Sequence, residues 1–355
     1  MSAFTAARAL LGNAIGTEAT PGVAPGLVAL GGTKDRSEEV AALGVQRYGG
    51  AAVTPTTRYD LASLTKVVAT LPSILRLVSD GELNLEDKVG KFFSNAGWFQ
   101  TPSLAEVTVR QLLTHTSGLP AWKPLFATVS ERPTAVANVL QTGLEHAPGT
   151  FVYSDFGFIL LGAIVERVSG LRQDDFVEKH VFEPLGMKDT RYGPVPPQNV
   201  AATEDCGWRG QVLQGVVHDE NAFVMDGVAG HAGLFGTAGD LGRYAQAWLN
   251  WDVSLGDAAV LRAAVEERVI AEQVRRGLGW QLAGAGSSAG DLASEAAFGH
   301  TGFTGTSLWI DPVQGWFAVL LTNRIHPTRL GGEGIQALRR AFHDEVASVL
   351  GRTDA

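Results

Sequence analysis

Apolar positions recur with a helical period in the middle of the chain and form short runs bounded by Gly, Asp or Pro at both ends. The first pattern predicts amphipathic or buried helices, and the second is typical of strands. The predicted strands are 26–31, 45–48, 278–282, 307–310 and 316–321, and the predicted helices are 1–16, 63–79, 108–113, 155–168, 174–182, 240–249 and 333–350. The Gly- and Pro-rich stretch 192–238 predicts long ordered loops.

Strands at both chain ends and helices between them predict an α+β fold, an α/β sandwich. Its antiparallel sheet is built from both chain ends and flanked by helices, with a mostly helical insertion. The predicted sheet domain is discontinuous, 1–85 with 265–355, and the mostly helical domain is 86–264. We expect the active site in the cleft between them. Pro72 falls inside the first long helix, so a kink or a lost backbone hydrogen bond is predicted there.

Composition narrows the class of protein. The 355 residues are 45% hydrophobic and 18% charged, which indicates a globular core, and the net charge of −9 argues against a nucleic-acid partner. Cys206 is the only cysteine, so the chain forms no internal disulfide. The sequence has no apolar run of transmembrane length. The stretch 1–16 does not resemble a signal peptide, which predicts a cytoplasmic protein and leaves a removed leader as the alternative.

One stretch combines a nucleophile with an amine at helical spacing. Ser63-Leu64-Thr65-Lys66 begins a predicted helix, and residues i and i+3 of a helix share a face. The amine of Lys66 can therefore reach Oγ of Ser63, a hydroxyl that needs a neighbouring base. The alternative is an ordinary helix start with a Ser cap and a solvated Lys.

Two further segments could complete such a site. Tyr153 stands at the entry of the buried central helix, where its phenol can transfer protons; the alternative is a surface Tyr with Asp155 as the helix cap. His300-Thr301-Gly302 opens a late strand, and its Gly allows close approach of the backbone. The N–H of Phe303 would then be an oxyanion donor opposite that of Ser63. The alternative there is a Gly-rich bulge in an edge strand.

In chain order, Ser-x-x-Lys, Tyr-x-Asp and His-Thr-Gly resemble the motifs of the serine β-lactamase and penicillin-binding protein superfamily, particularly its class C-like branch. That branch includes β-lactamases, D-aminopeptidases, D-alanyl-D-alanine carboxypeptidases and family VIII carboxylesterases. The resemblance covers residues 20–350 and includes the stretches 85–89, 109–120, 148–170 and 182–187.

The resemblance implies that Ser63 attacks a carbonyl and becomes acylated, while Lys66 and Tyr153 share the proton transfers. Water then releases the acyl group, with Tyr153 as base. The backbone N–H groups of Ser63 and Phe303 would hold the oxyanion. The implied substrate-binding residues are Asp155, His300, Thr301 and Gly302.

Two positions depart from the usual motifs of this family. The Asn of Tyr-x-Asn is Asp155 here, and an ionised Asp would keep Lys66 charged, which favours Tyr153 as the base. The Lys of Lys-Thr-Gly is His300 here, and His is mostly neutral at pH 7. Recognition of a substrate carboxylate therefore loses a permanent charge, for which Arg324 is the candidate replacement. His231 is a candidate to line the cleft, whereas His115 is expected to be structural.

The resemblance thus implies a serine hydrolase that cleaves β-lactam, ester or D-Ala amide bonds of a small-molecule substrate. The alternatives are a carboxylesterase with little β-lactamase activity and a slowly turning over penicillin-binding sensor. Ser288, in the Gly-x-Ser-x-Gly stretch 286–290, is a second candidate nucleophile, but its small-residue surroundings predict a loop. No cofactor or metal is predicted, because the stretch 218–220 (His-Asp-Glu) lacks an evident third ligand.

Overall fold

The computed structural model describes residues 3–93, 102–271, 274–330 and 333–351. The strands in these ranges are β1 Gly26–Thr33, β2 Ser37–Gly44, β3 Tyr59–Asp60, β4 Arg191–Tyr192, β5 Asp205–Cys206, β6 Gln211–Val212, β7 Leu234–Gly236, β8 Val269–Ala271, β9 Val274–Arg276, β10 Gln281–Leu282, β11 Phe298–Thr301, β12 Ser307–Asp311 and β13 Trp316–Thr322. The α-helices are α1 Thr5–Ala14, α2 Leu71–Ser79, α3 Val89–Phe93, α4 Pro102–Ala105, α5 Val109–Leu113, α6 Arg132–Gln141, α7 Asp155–Ser169, α8 Gln173–Val177, α9 Glu183–Leu185, α10 Glu220–Phe223, α11 Ala238–Leu249, α12 Ala258–Ala264 and α13 Ile335–Leu350.

The main sheet joins the two ends of the chain. Its eight strands lie in the order β2-β1-β13-β12-β11-β10-β9-β8, and every neighbouring pair is antiparallel. The N-terminal hairpin β1–β2 therefore pairs directly with β13, with Leu30 opposite Val319. This arrangement confirms the predicted α+β fold with a sheet built from both chain ends.

Both faces of this sheet are buried. In β13, Trp316 and Ala318 belong to the core that also contains residues of α1 and α13, whereas Phe317 and Val319 belong to the larger core that includes α2, α7 and α11. A strand whose two faces are covered reads as a continuous apolar run. This explains why the sequence of β13 is apolar throughout.

The prediction is wrong at the second strand. β2 spans Ser37–Gly44, so the residues predicted to form this strand, 45–48, lie after it. β2 is an edge strand, and its first residues, Ser37, Glu38 and Glu39, are exposed. Charged residues on an edge strand protect the sheet against pairing with other chains. In the sequence alone, such a short run of polar residues is typical of a turn.

The middle of the chain is mainly helical, as the pattern predicts, but the stretch 192–238 also contains short strands and α10. α11 also belongs to the middle of the chain, and it packs against β1, β12 and β13 of the main sheet. The domain boundaries given above remain a prediction. No helix among the described residues combines the length and apolar character needed to cross a membrane.

The helix that follows Ser63 begins irregularly. Lys66–Thr70 form a π-helical turn, and α2 continues directly from it. In a π-helical turn the carbonyl of Val67 would accept from the N–H of residue 72, but that residue is Pro72. The hydroxyl of Tyr244, in α11, donates to this carbonyl instead. The backbone hydrogen bond lost at Pro72 is thus replaced by a side chain from a helix that packs on the sheet.

Candidate active site

A cavity of about 620 Å³ opens beside the start of the Ser63 helix. It is lined by the predicted site residues Ser63, Tyr153, Asp155, His300, Thr301 and Phe303, among others. These residues come from three separate stretches: the turn before the π-helical segment, the entry of α7, and the end of β11 with the turn after it. The structure therefore brings together the three motifs singled out in the sequence.

A buried carboxylate shapes the turn that carries Ser63. Asp60 accepts hydrogen bonds from the backbone N–H of Ala62 at 2.8 Å and of His218 at 2.7 Å. Ala62 has a positive φ of 47°, a left-handed conformation that costs a non-glycine residue roughly 1–2 kcal/mol. The hydroxyl of Thr304 also donates to the Asp60 carbonyl. These contacts hold Ser63 at a sharp turn that faces the cavity.

Lys66 is fully buried beneath Ser63. Its Nζ donates to Oγ of Ser63 at 3.0 Å and to the carbonyl of His231 at 3.3 Å, and it lies 2.7 Å from Oδ1 of Asp155. Burial by itself lowers the pKa of Lys66, but the interactions with Asp155 and Tyr153 outweigh burial and hold this pKa above its ordinary value. Lys66 is therefore an ammonium ion, in agreement with the effect expected of Asp155.

Tyr153 is held from both sides by one histidine. The carbonyl of His115 accepts the N–H of Val152, and Nδ1 of His115 accepts the N–H of Ser154. The centroids of the His115 and Tyr153 rings lie 4.5 Å apart. Nζ of Lys66 lies 4.9 Å from the centroid of the Tyr153 ring. Burial, followed by the charges of Arg276 and Lys66, keeps the pKa of His115 well below its usual range. A neutral His115 can accept at Nδ1 and acts as a structural support.

Ser154, and not Asp155, caps α7. Its Oγ accepts the N–H of Gly157 at 3.3 Å and donates to the carbonyl of Pro120. The alternative in which Asp155 serves as the cap is therefore wrong. Because the cap position is already filled, the Asp155 carboxylate turns to Lys66.

The backbone of Gly302 packs directly against the turn before Ser63. A Cβ atom on Gly302 would lie 2.6 Å from the carbonyl oxygen of Leu61 and 3.3 Å from Cβ of Ala62, so only glycine fits. Phe303 directly follows Gly302. Among the described residues, the N–H groups of Ser63 and Phe303 donate to no backbone or side-chain acceptor. Both N–H groups are therefore available to an oxyanion in the cavity.

His300 and Thr301 end β11 rather than open a strand, which corrects the prediction. Nδ1 of His300 lies 2.8 Å from the carbonyl of Thr301, and a carbonyl only accepts, so Nδ1 carries the proton. Burial, followed by the charges of Arg276 and Lys66, keeps the pKa of His300 well below its usual range. His300 is neutral, and its Nε2 is an acceptor that has no hydrogen-bond partner within the described part of the chain.

Arg324 lies against the ring of Phe303, with its Cζ 4.9 Å from the centroid. It is not among the described residues that line the cavity. Ser288, the second candidate nucleophile, is buried in a loop and accepts the indole N–H of Trp309 at 3.1 Å. It is absent from the same lining, so the cavity assembles around Ser63.

His231 lines the cavity, the position for which it was a candidate, but two other features of the cavity carry no signal in the sequence. Arg276 lines it from β9, and Nε2 of His231 contacts Oδ1 of Asp219 at 2.8 Å. Ligand atoms of Asp155, Asp219 and His231 lie within 4.8 Å of one another, so these residues could hold a cation. However, Asp155 pairs with Lys66 and Asp219 with His231, so a metal ion would compete with these contacts. No pattern in the sequence links these distant residues.

An antiparallel sheet flanked by helices, with a Ser-x-x-Lys pair at the start of a helix beside the cavity, defines a serine hydrolase of the β-lactamase and penicillin-binding protein type. The chain belongs to the β-lactamase family, since the Beta-lactamase family model matches residues 11–354. The superfamily indicated by the sequence motifs is thereby confirmed.

Curated relatives from two bacteria are similar over most of the chain. An Escherichia coli K12 protein named "Putative D-alanyl-D-alanine carboxypeptidase" is 35% identical over 310 residues, 77% of this chain and 70% of the relative. A Bacillus subtilis protein named N-acetylmuramyl-L-alanine amidase is 36% identical over 304 residues, 76% of this chain and 68% of the relative.

Solved structures share the fold at lower sequence identity. A penicillin-binding protein homologue from Caulobacter crescentus superposes with a TM-score of 0.75 and 21% identity, and it covers 99% of this chain and 98% of its own. A class C β-lactamase from Rhodobacter sphaeroides gives a TM-score of 0.71 and 20% identity, over 92% of this chain and 95% of its own. At this identity the likeness concerns the fold alone.

Proposed function

We propose that this β-lactamase-family serine hydrolase cleaves an amide bond next to a D-alanine-type residue, through an acyl-enzyme on Ser63. The observation that carries the proposal is the buried ammonium of Lys66, 3.0 Å from Oγ of Ser63 and paired with Asp155. A serine so placed, with two free N–H groups facing the same cavity, suits acyl transfer. The names of the two curated relatives, a carboxypeptidase and an amidase, supply the amide substrate class.

The proton transfers follow from the charges. Lys66 is already protonated, so it cannot accept the proton of Ser63. Tyr153 is then the base, and the ammonium of Lys66 lies 4.9 Å from the centroid of its ring. Ser63 forms a bond to the carbonyl carbon, the N–H groups of Ser63 and Phe303 hold the oxyanion, and the tetrahedral intermediate expels the amine with a proton from Tyr153. Water, deprotonated by Tyr153, then attacks the acyl carbon, and Tyr153 returns this proton to Oγ of Ser63 as the acid leaves.

A carboxylesterase is the second candidate. The neutral His300 favours it, because the position where the family usually has a Lys carries no charge here. Esters without a carboxylate would then be accepted as readily as peptides.

A hydrolysis panel tests the proposal. The full chain is incubated with a peptide ending in D-Ala-D-Ala, with nitrocefin and with p-nitrophenyl esters, and Ser63→Ala and Ser288→Ala are compared with it. We expect release of D-Ala that Ser63→Ala abolishes and Ser288→Ala leaves intact. Ester hydrolysis without release of D-Ala would favour the esterase. A nitrocefin-derived adduct on Ser63 that persists for hours would favour the sensor.

A further inference from the structure

We propose that His218 is a positioning residue for the oxyanion site: it joins the turn that carries Ser63 to Phe303, and so holds the two backbone N–H donors in register. The inference rests on the proposed function, because both donors act on the oxyanion of that mechanism. In the sequence, His218 is only a candidate metal ligand without an evident third partner. The structure gives it contacts of a different kind.

His218 contacts both donor-bearing segments through different parts of the residue. Its backbone N–H donates to Oδ2 of Asp60 at 2.7 Å, and Oδ1 of the same carboxylate accepts the N–H of Ala62, the residue before Ser63. Its ring stacks on the ring of Phe303, with the centroids 5.7 Å apart and the planes inclined by 23°. One residue thus links the turn of Ser63 to the side chain of Phe303.

A carboxylate fixes the orientation of the His218 ring. Nε2 of His218 lies 3.0 Å from Oε2 of Glu204, and Nε of Arg329 donates to both oxygens of that carboxylate, at 2.7 and 2.9 Å. Burial raises the pKa of Glu204, but the hydrogen bonds from Arg329 and His218 outweigh burial and lower this pKa to about 2. An ionised carboxylate only accepts, so Nε2 of His218 carries the proton. The buried imidazole is therefore held against Phe303 by a hydrogen bond.

The side chain of Phe303 lies at the surface, where packing restrains it less than in the core. It is 49% exposed, and its described ring contacts are with His218 and with Arg324, whose Cζ lies 4.9 Å from the centroid. The hydroxyl of the next residue, Thr304, donates to the carbonyl of Asp60 at 2.7 Å. The backbone is thus fastened after Phe303, and the stack with His218 restrains Phe303 itself.

The placement of the Phe303 N–H matters because the oxyanion forms only as the carbonyl is attacked. Donors aimed at this charge accelerate the reaction when they are held in place beforehand. They contribute little to binding of the substrate in its ground state. A displaced N–H at Phe303 should therefore lower kcat much more than it raises KM.

The test is a double-mutant cycle with p-nitrophenyl acetate, or with the D-Ala-D-Ala peptide if the ester is not cleaved. His218→Gln keeps a donor for Glu204 but removes one ring of the stack, and Phe303→Leu removes the other ring but keeps the backbone N–H. Each change should lower kcat by about tenfold, which is less than deletion of an oxyanion donor causes, with little change in KM. The double variant should be no slower than the single variants, because each of them already breaks the same stack. His218→Phe, which retains a ring, should recover most of kcat.

His180→Gln is the matched control. His180 also stacks on a phenylalanine, Phe176, with the centroids 4.5 Å apart, and it is absent from the described lining of the cavity, so kcat should not change. Additive losses in the double variant, or equal losses in His218→Gln and His218→Phe, would overturn the proposal. An unchanged kcat in Phe303→Leu would also overturn it, even if the His218 variants fail to fold. Hydrolysis by Ser63→Ala would refute the proposed function separately, whatever the cycle gives.

Discussion

At the scale of single residues, Asp155 is the position that most changes the chemistry of the site. It lies 2.7 Å from Nζ of Lys66, and it helps to hold the pKa of Lys66 above its ordinary value despite complete burial. In the proposed mechanism, a charged Lys66 supports Tyr153 electrostatically instead of competing with it for the proton of Ser63. The division of roles between the two residues therefore depends on one carboxylate.

Replacing Asp155 by Asn should shift the pH profile. Loss of the negative charge lowers the pKa of Lys66, so the ammonium loses its proton at a lower pH. The alkaline limb of kcat/KM should then move to lower pH by about one unit or more. Measurement of kcat/KM from pH 5 to 11 checks this. Asp80→Asn, at an exposed ion pair with Arg76, should leave the profile unchanged, and an unshifted profile in Asp155→Asn would contradict the role given to Asp155.

Some of these residues can be found from the sequence and others cannot. Ser63 and Lys66 lie three positions apart on one turn, so their contact follows from helix geometry. Tyr153 and His300 become candidates through the family motifs. Arg276 carries no such signal: it stands next to Arg275 in a short strand, and only the fold decides which of the two faces the cavity.

At the scale of elements, the π-helical turn Lys66–Thr70 shows how one proline affects the site. Pro72 provides no N–H for the carbonyl of Val67, and Tyr244 supplies the missing hydrogen bond from α11. Because Lys66 belongs to this turn, the contact also connects the position of Lys66 to a helix that packs on the main sheet. The sequence indicated the disturbance at Pro72, but not the distant side chain that compensates for it.

Tyr244→Phe should therefore destabilise the protein. It leaves the buried Val67 carbonyl without a partner, which costs about 1–3 kcal/mol in the free energy of unfolding. Urea denaturation measures the change.

Tyr59→Phe is the matched control for this experiment. Tyr59 is equally buried, but its hydroxyl has no hydrogen-bond partner among the described residues, so its removal should be nearly neutral or slightly stabilising. Equal losses of stability in the two variants would show that the hydroxyl of Tyr244 has no special role.

At the scale of the whole molecule, contacts between distant parts of the chain assemble the site. Asn323, after β13, accepts the N–H of Gly26 at 2.8 Å and donates to the carbonyl of Gln46 at 3.0 Å, which ties the two chain ends together. The sequence predicts the sheet because its strands are apolar on both faces. The edge strand β2 is predicted poorly, because its first residues are exposed and contact solvent rather than the core.

In the proposed mechanism, Ser63 carries the acyl group. The most direct test is the mass of the intact protein, quenched in acid during turnover of the best substrate of the hydrolysis panel, followed by peptide mapping. We expect one added acyl group, located on the peptide that contains Ser63. Ser288→Ala should retain this acyl group, whereas Ser63→Ala should lose both the acyl group and the activity. An acyl group on the Ser288 peptide, or turnover at the wild-type rate by Ser63→Ala, would contradict this account.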